Sequence, residues 1–553
     1  MRILKDQWVT ASDRTRICAD VYLPNADGAY PCLYAVSPYQ KDLAYLPAHP
    51  VFRFRETGPI DWWVDTCGYA YVLADQRGTG QSEGEFGLFS AREAEDFHET
   101  IEWIAEQPWC TGKVGTIGES GYSINQWLAA ATRPPHLACT LIYNGSTDLY
   151  RDAVYHAGIF SMGFYNFWTV DNVRASAAIG TGTPPRPGGI ATDLLGMVLE
   201  HPLDGPFWQE RRPDVEAIEA PTLVVAWWYN IALHTRGTLL GYERLTCPKR
   251  LVALAGTDSH ERNFDPEFLT SHLKPWYDHW LKGEDNGAMG GPPVRIDVQN
   301  GESLRSEAQW PLARAVPTAF YLDPAPAGAI TSVNDGSLTG VPPAADPGEP
   351  TVYAYPRPEW TVGTTAIEHG IPHPARGLLT FTTPPLEDDL EITGPIAAVL
   401  YVASDQTDTE FFVKISEQLA VPAAKGFVMH HLAGDMPPPS QMVTRGWLKA
   451  SHRATDTELS TPLRPYHPHT DPEPVTPGEV TRYDIEVWPT SYRFRTGNRI
   501  RVEIGNGDSM VADGLFHHYY GHKAGTDRFY HDAHHPSHLL MPVISRTDTS
   551  QEN

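Results

Sequence analysis

Residues 113–131 read KVGTIGESGYSINQWLAAA, and this stretch decides the fold. The apolar residues up to Ile117 predict a β-strand, and the residues after Gly121 predict a helix. Between these two elements, Ser120 lies close to two glycines, Gly118 and Gly121. Small neighbours are needed where a strand turns sharply into a helix, because the serine at such a turn has a strained backbone. The stretch therefore predicts a nucleophile elbow in which Ser120 attacks a carbonyl group and the amide of Gly121 stabilises the oxyanion.

The elbow lies within a longer alternation of strands and helices. Residues 91–107 have the periodicity of an amphipathic helix, with acidic residues near its start. Apolar runs typical of buried strands recur along the same region, at residues 31–36, 69–74, 138–143, 222–228 and 250–255. Strands that alternate with helices predict a mostly parallel sheet, with the functional edge at the carboxyl ends of its strands.

Two changes in the residue pattern along the chain predict three domains. Residues 146–215 are rich in aromatic residues and contain a Gly/Pro-rich loop, so we predict that they form a helical cap inserted in an α/β domain of residues 1–145 and 216–345. Beyond that domain, short runs of β-branched and aromatic residues recur between Pro/Gly turns. Regular strands without helices predict an all-β sandwich over residues 346–553.

Composition narrows the classes of partner. The chain of 553 residues has 42 basic and 68 acidic residues, a formal charge of −26. This charge repels phosphate backbones and anionic membranes, so we expect neither as a partner. The N-terminus has no signal-peptide pattern, no apolar run is long enough to span a membrane, and six cysteines are widely spaced. These features predict a cytoplasmic protein with reduced thiols.

Seven histidines lie between residues 517 and 538. Their spacing fits no common set of metal ligands, so the sequence predicts neither a metal nor another cofactor.

Several separate motifs resemble, in order, those of one family of α/β-hydrolases. They are SPYQK (37–41), DQRGTGQSEG (75–84), QPWCTGKVGTIGES (107–120), WWYN (227–230), GTDSHE (256–261), WLKG (280–283), GWLKASHR (446–453) and PVTPGEV (474–480). The family is that of cocaine esterase, the X-prolyl dipeptidyl aminopeptidases and the α-amino-acid ester hydrolases. The resemblance implies an α/β-hydrolase domain, a helical cap and a C-terminal jelly-roll.

The resemblance also implies roles for particular residues. Tyr39 is expected to complete the oxyanion hole with its hydroxyl, and His260 to act as the general base. The acidic member of the catalytic triad falls at Asn230, which can accept a hydrogen bond but carries no charge. Two carboxylates are open as alternatives for orienting the base, Asp148 first and Asp258 second. The loop that begins at Asp75 is expected to order the site without acting on the substrate.

Three functions are consistent with these residues. The first is a serine hydrolase that cleaves an ester or an amide of a small molecule through an acyl-enzyme on Ser120. The second is acyl transfer or lactone chemistry on a natural product, and the third is a binding protein with a decayed triad. We find no acidic clamp for a free amine, which favours an esterase over an X-prolyl peptidase. The number of subunits is left open.

Aromatic side chains predict what the substrate looks like. A bulky or aromatic group is expected because aromatic residues are dense in the cap segment and at the end of the strand that contains Trp228. The predicted substrate-binding residues are Phe160, Phe164, Phe167, Trp168 and Trp228.

Overall fold

The computed structural model contains two large β-sheets with helices against the first of them. The structure describes residues 1–45, 56–178, 192–256, 263–329, 332–344, 348–362, 377–420, 440–510, 513–518 and 524–545.

The first sheet is formed by the N-terminal half of the chain. In chain order, its strands and a separate two-stranded hairpin (β7 and β8) are β1 (Arg2–Thr10), β2 (Arg16–Leu23), β3 (Tyr30–Ser37), β4 (Ala70–Asp75), β5 (Cys110–Thr116), β6 (Leu137–Tyr143), β7 (Tyr155–His156), β8 (Ile159–Phe160), β9 (Thr222–Trp227), β10 (Lys249–Leu254), β11 (Val294–Ile296) and β12 (Arg305–Glu307). The order across the sheet is β1-β2-β4-β3-β5-β6-β9-β10-β11-β12. Strands β4, β3, β5, β6, β9, β10 and β11 run parallel, as the alternation of strands and helices predicts. Their carboxyl ends share one edge of the sheet.

Short and long helices lie between these strands. They are α1 (Ala91–Ala105), α2 (Gly121–Ala131), α3 (Met162–Asn166), α4 (Ala175–Ala178), α5 (Leu194–Leu199), α6 (Pro206–Gln209), α7 (Thr235–Arg244), α8 (Pro266–Phe268), α9 (Lys274–Tyr277) and, in the C-terminal half, α10 (Pro358–Thr361). Tighter or wider helical turns occupy Lys41–Tyr45, Trp62–Thr66, Tyr150–Val154, Phe167–Arg174, Val215–Ala217, Leu269–Leu273, Asp278–Lys282, Ala450–His452 and Gly514–Phe516. The amphipathic helix expected over 91–107 is confirmed as α1, which begins at a capping box of Ser90 and Glu93.

The segment predicted to be a helical cap is only partly helical. It contains several short helices, but it also forms the hairpin of β7 and β8. Residues 179–191, which include the Gly/Pro-rich loop, lie outside the described residues. That the segment covers the site stays a prediction.

The second sheet contains the strands of the C-terminal half. They are β13 (Ala315–Pro326), β14 (Gly336–Thr339), β15 (Thr351–Tyr355), β16 (Leu379–Thr382), β17 (Leu390–Ser404), β18 (Glu410–Gln418), β19 (Ser440–Lys449), β20 (Thr481–Phe494), β21 (Arg499–Gly505), β22 (Gly525–Phe529) and β23 (His538–Ile544). The order is β15-β22-β17-β20-β19-β18-β21-β16-β14-β13-β23, and β17 also pairs with β23. This extra pairing closes nine of the strands into a ring around an apolar core. The all-β character of this region is confirmed, whereas the jelly-roll arrangement stays a prediction.

The change from the first sheet to the second comes earlier than the predicted boundary after residue 345. Strand β13 pairs with β23 over seven residues, from Ala315 opposite Ile544 to Tyr321 opposite His538. Besides its neighbour β14, β13 thus has a partner more than 200 residues away in the sequence, a relation that local patterns cannot show. Within the described residues, no helix is both long and apolar enough to cross a membrane.

The loop after β4 is held by buried polar contacts, as the sequence predicts. The carboxylate of Asp75 accepts the backbone N–H of Lys41 at 2.6 Å and that of Gln81 at 2.8 Å. Arg77 donates two hydrogen bonds of 2.6 Å to the carboxylate of Asp96 on α1, and both side chains are buried. These contacts fix the loop to α1, the helix that follows it in the chain.

Replacing Arg77 with methionine tests this anchor. Breaking a buried ion pair by removing one partner typically costs 3–5 kcal/mol. We expect a loss at the lower end, about 3 kcal/mol of unfolding free energy, because Arg92 also donates to Asp96. Urea unfolding measures the loss. Arg16, whose pair with Glu83 is largely exposed, is the control; an equal shift of the unfolding midpoint in Arg16→Met would contradict the prediction.

Candidate active site

Ser120 lies on the sharp turn between β5 and α2. Its φ is +58°, a left-handed conformation that is rare for a residue with a side chain. The turn is held by the backbone, since the Ser120 N–H donates to the carbonyl of Tyr143 at 2.9 Å and the Ser120 carbonyl accepts the N–H of Ile124 at 3.0 Å. At Gly118 a Cβ atom would lie 2.6 Å from Cβ of Tyr122, so no larger residue fits there. The predicted elbow is confirmed as a local structure.

Glu119, the residue before Ser120, is buried. Its carboxylate accepts a hydrogen bond from the side-chain amide of Asn144 at 2.9 Å and another from the amide of Asn263. Its backbone N–H donates to the carbonyl of Glu56 at 2.9 Å. These contacts give Glu119 a role in holding the turn.

The nearest base to Ser120 in the described residues is His234. Its Nε2 lies 3.0 Å from Oγ of Ser120, which is hydrogen-bond distance. The imidazole is buried, and it belongs to the residue immediately before α7. A hydroxyl and an imidazole at this distance have the geometry that nucleophilic catalysis requires of a nucleophile and its base.

The other nitrogen of His234 faces a second serine. Nδ1 lies 3.3 Å from Oγ of Ser146, and that hydroxyl donates its hydrogen to the carbonyl of Leu233 at 2.8 Å. Because the hydrogen of Ser146 is used in this way, the hydroxyl accepts from Nδ1–H. In this tautomer Nε2 presents its lone pair to Ser120, as a general base requires.

Sequence reasoning missed both His234 and Ser146. His234 follows β9 by seven residues and precedes a helix, so it belongs to a loop at the carboxyl edge of the sheet. This position could have indicated a functional histidine, but His234 lies outside the motifs that carry the family resemblance. Residues 257–262, with the predicted base His260 and the alternative acid Asp258, lie outside the described residues.

The remaining candidates for the third triad member have other contacts. The backbone carbonyl of Asn230 accepts the N–H of His234 at 3.0 Å, which shapes the turn before α7. A direct role of the Asn230 side chain stays a prediction. The Asp148 carboxylate is bound by Arg151 at 2.8 Å and by Arg212 at 3.1 Å. These two arginines account for the charge of Asp148 without a histidine.

Tyr39 lies beside the elbow, where the resemblance expects an oxyanion donor. A Cβ atom built on Gly121 would lie 3.1 Å from the Tyr39 hydroxyl, so the hydroxyl and the backbone of Gly121 are neighbours. The hydroxyl oxygen accepts a hydrogen bond of 3.0 Å from the indole N–H of Trp168. Complete burial, and next to it the carboxylate of Glu56, raises the pKa of Tyr39 well above its usual value. The phenol therefore keeps its proton and remains a donor.

The five predicted substrate-binding aromatics do not come together in one place. Trp168 reaches the site through Tyr39 and stacks on Phe89, with ring centroids 5.9 Å apart. Phe164 instead stacks on Phe516 of the C-terminal half at 5.4 Å. Phe160 packs in the apolar cluster around the hairpin, and Phe167 is half-buried on the helical turn before Trp168.

Trp228 is part of the core and does not line the site. Its side chain is fully buried, its indole N–H donates to the carbonyl of Asp297 at 2.8 Å, and its ring packs on Trp310. The prediction that Trp228 binds substrate is wrong, because aromatic composition does not tell to which side of a strand end a ring turns.

Two family models match consecutive parts of the chain. The model of the X-Pro dipeptidyl-peptidases of the S15 family matches residues 13–260, and the model of the C-terminal non-catalytic domain of X-Pro dipeptidyl-peptidases matches residues 286–539. The first range contains the elbow and His234, and the second contains most of the second sheet.

Individual proteins resemble the chain over nearly its full length. Cocaine esterase of Rhodococcus sp. is 26% identical, with 97% of this chain and 98% of the relative covered. A solved CocE/NonD family hydrolase of Staphylococcus aureus shares 25% identity with a TM-score of 0.80, over 98% of this chain and 93% of that one. A solved α-amino acid ester hydrolase, 18% identical, has the same fold, with a TM-score of 0.69 over 98% and 96% of the two chains. The chain belongs to the α/β-hydrolase family of cocaine esterase, the X-Pro dipeptidyl-peptidases and the α-amino-acid ester hydrolases.

Proposed function

We propose that this protein is a serine hydrolase that cleaves a carboxylic ester through an acyl-enzyme on Ser120. The observation that carries the proposal is the 3.0 Å contact between Oγ of Ser120 and Nε2 of His234 on a strained elbow. The family supports hydrolysis of esters or amides. Esters are favoured because a cocaine esterase is similar over the whole chain and because the sequence offers no clamp for the free amine of a peptide.

The reaction begins when His234 takes the proton of Ser120 while Oγ attacks the carbonyl carbon. The carbonyl oxygen becomes an oxyanion, which receives hydrogen bonds from the Gly121 N–H and the Tyr39 hydroxyl. His234 then gives its proton to the leaving alcohol, and the acyl group remains on Ser120. A water molecule that loses a proton to His234 attacks the acyl-enzyme, and the return of this proton to Oγ releases the acid.

Ser146 helps to keep His234 in the reactive tautomer. Its Oγ accepts from Nδ1 because its own hydrogen is bonded to the Leu233 carbonyl. The base is therefore held from both sides, by Ser120 and by Ser146. The family resemblance assigns the base to His260 instead, and the two assignments are separated by experiment below.

The aromatic surroundings of the oxyanion tyrosine support a bulky or aromatic substrate. Trp168 binds Tyr39 directly and is packed against Phe86 and Phe89. A flat apolar acyl group bound near these rings would bury apolar area next to Ser120. An ester of an aromatic or branched acid is thus the proposed substrate class.

Substitution of Ser120 by alanine tests the nucleophile. We expect kcat for an aromatic ester such as a phenyl benzoate to fall on the order of 10⁴-fold or more, as for other nucleophile deletions. A fluorophosphonate probe should label the native protein at residue 120 and leave Ser120→Ala unlabelled, as read by peptide mass spectrometry. Ser123, three residues after Ser120 on α2, accepts the Tyr143 N–H through its hydroxyl and is the control; labelling should persist in Ser123→Ala. Full turnover by Ser120→Ala would refute the proposal.

The identity of the base is tested by the pair His234→Ala and His260→Ala. If His234 is the base, its loss lowers the rate of probe labelling and kcat about as far as a triad deletion does, on the order of 10⁴-fold. His260→Ala should keep most of both rates. The reverse result would assign the base to His260 and leave the Ser120–His234 contact without a catalytic role.

The oxyanion hole is tested by Tyr39→Phe, which removes the hydroxyl and keeps the ring. Loss of one oxyanion donor typically lowers kcat about 10²- to 10³-fold, and KM should change little, because the bond forms in the transition state. Trp168→Phe, which removes the hydrogen bond to Tyr39, should cost less, about 0.5–1.5 kcal/mol of transition-state stabilisation. Steady-state kinetics of both variants give the comparison. A rise in KM at constant kcat in Tyr39→Phe would show a role in binding instead.

A further inference from the structure

The loop that delivers His234 rests on the C-terminal half of the protein. Between β9 and α7, Ile231 and Ala232 are buried in a small apolar cluster that is separate from both large cores. The other members of this cluster are Ile159 of the hairpin and, from the second sheet, Phe412, Trp447 and Trp488. The segment immediately before the base is thus packed against side chains of the C-terminal half.

A buried ion pair joins the same two parts next to the base. Arg236, two residues after His234, donates through Nε to Oε2 of Glu486 at 2.9 Å and through Nη1 to Oδ1 of Asp152, also at 2.9 Å. The side chains of Arg236 and Asp152 are 6% and 0% exposed, and that of Glu486 is 17% exposed. Glu486 lies on β20 of the second sheet.

Asp152 connects the Arg236 ion pairs to the chain near Ser146 and to the first turn of α7. Its Oδ2 accepts the backbone N–H of Asp148 at 3.1 Å, a short distance along the chain from Ser146. A Cβ atom at Gly237 would lie 2.0 Å from Oδ2 of Asp152, so the first turn of α7 touches this carboxylate directly. The guanidinium of Arg236 therefore has two fixed carboxylates, one on each side of the boundary between the two halves.

From these contacts we infer that Glu486 is a positioning residue for His234 and that it acts through Arg236. The planar guanidinium directs its two donors along fixed lines, so two carboxylates fix both the position and the rotation of the first turn of α7. His234 immediately precedes that turn and is joined to Arg236 through two peptide units. A displacement of about 1 Å in a catalytic group can cost about 10²-fold in rate. The inference rests on the proposed function, because it concerns the same base.

A second ion pair between α7 and the C-terminal half provides a matched control. At the last turn of the helix, Glu243 accepts hydrogen bonds of 2.8 and 2.9 Å from Arg464, and these side chains are 19% and 20% exposed. This pair also joins the two halves through the same helix. It lies more than two helical turns away from His234, at a rise of 1.5 Å per residue. Loss of the Glu243–Arg464 pair should change the stability of the protein without displacing His234.

The experiment compares Glu486→Gln, Arg236→Lys and Glu243→Gln in the full chain. For each variant one measures the rate constant for fluorophosphonate labelling of Ser120, kcat and KM for an aromatic ester, and the melting temperature. We expect Glu486→Gln to lower the labelling rate and kcat about 10- to 100-fold with KM within about twofold. Arg236→Lys keeps the charge but cannot reach both carboxylates with a rigid fork, so it should show the same loss. Glu243→Gln should label at the native rate.

A native labelling rate in Glu486→Gln would overturn the inference, whatever Arg236→Lys shows, and would leave the hydrolase proposal intact. The inference would also fail if the loss followed the melting temperature in all three variants, since this result would mean a general loss of structure. All rates are therefore taken well below the melting temperature of each variant. If the native protein itself is not labelled at Ser120, the proposed function fails instead, and the two failures are distinguished.

Discussion

The strained backbone of Ser120 is the constraint on which the rest of the site depends. A positive φ at a residue with a side chain costs on the order of 1–3 kcal/mol, and the surrounding structure must hold it in place. The hydrogen bonds of Ser120 to Tyr143 and Ile124 do so from the next strand and from the helix that follows. The same turn lifts Oγ out of the sheet and brings the Gly121 amide next to the Tyr39 hydroxyl. The proposed nucleophile and the proposed oxyanion donors are therefore consequences of one conformation.

The proposed base, His234, is held in a different way, by a loop and not by a sharp turn. His234 precedes α7, and its orientation depends on Ser146, on the carbonyl of Asn230 and on what packs beneath the loop. The apolar cluster beneath it contains residues of the second sheet. The two side chains of the proposed reaction thus have different supports, since Ser120 is held within the first sheet and His234 at the boundary between the two halves.

Much of this could be predicted from the sequence where the controlling interactions are local. The parallel strands, α1, the elbow and the contacts of Asp75 and Arg77 follow from short patterns of apolar, small and charged residues. The place of Tyr39 followed from the family resemblance. The features that were missed depend on residues far apart in the chain. Strand β13 pairs with β23, and Trp228 turns into the core because the carbonyl of Asp297, 69 residues later, accepts its N–H.

His234 is the instructive case, because it is adjacent to a recognised motif and still was not identified. The motif around Asn230 directs attention to the side chain at that position, whereas in the structure the backbone carbonyl of Asn230 forms the turn that places His234. A change from a carboxylate to an amide at such a position leaves the turn intact and removes a charge from the site. An imidazole four residues later can then reach Ser120 from the same loop at 3.0 Å. The loop before His234 packs against side chains of the C-terminal half. That half therefore helps to determine where His234 lies. The apolar contacts attract without a preferred direction, and the fork of Arg236 supplies the direction.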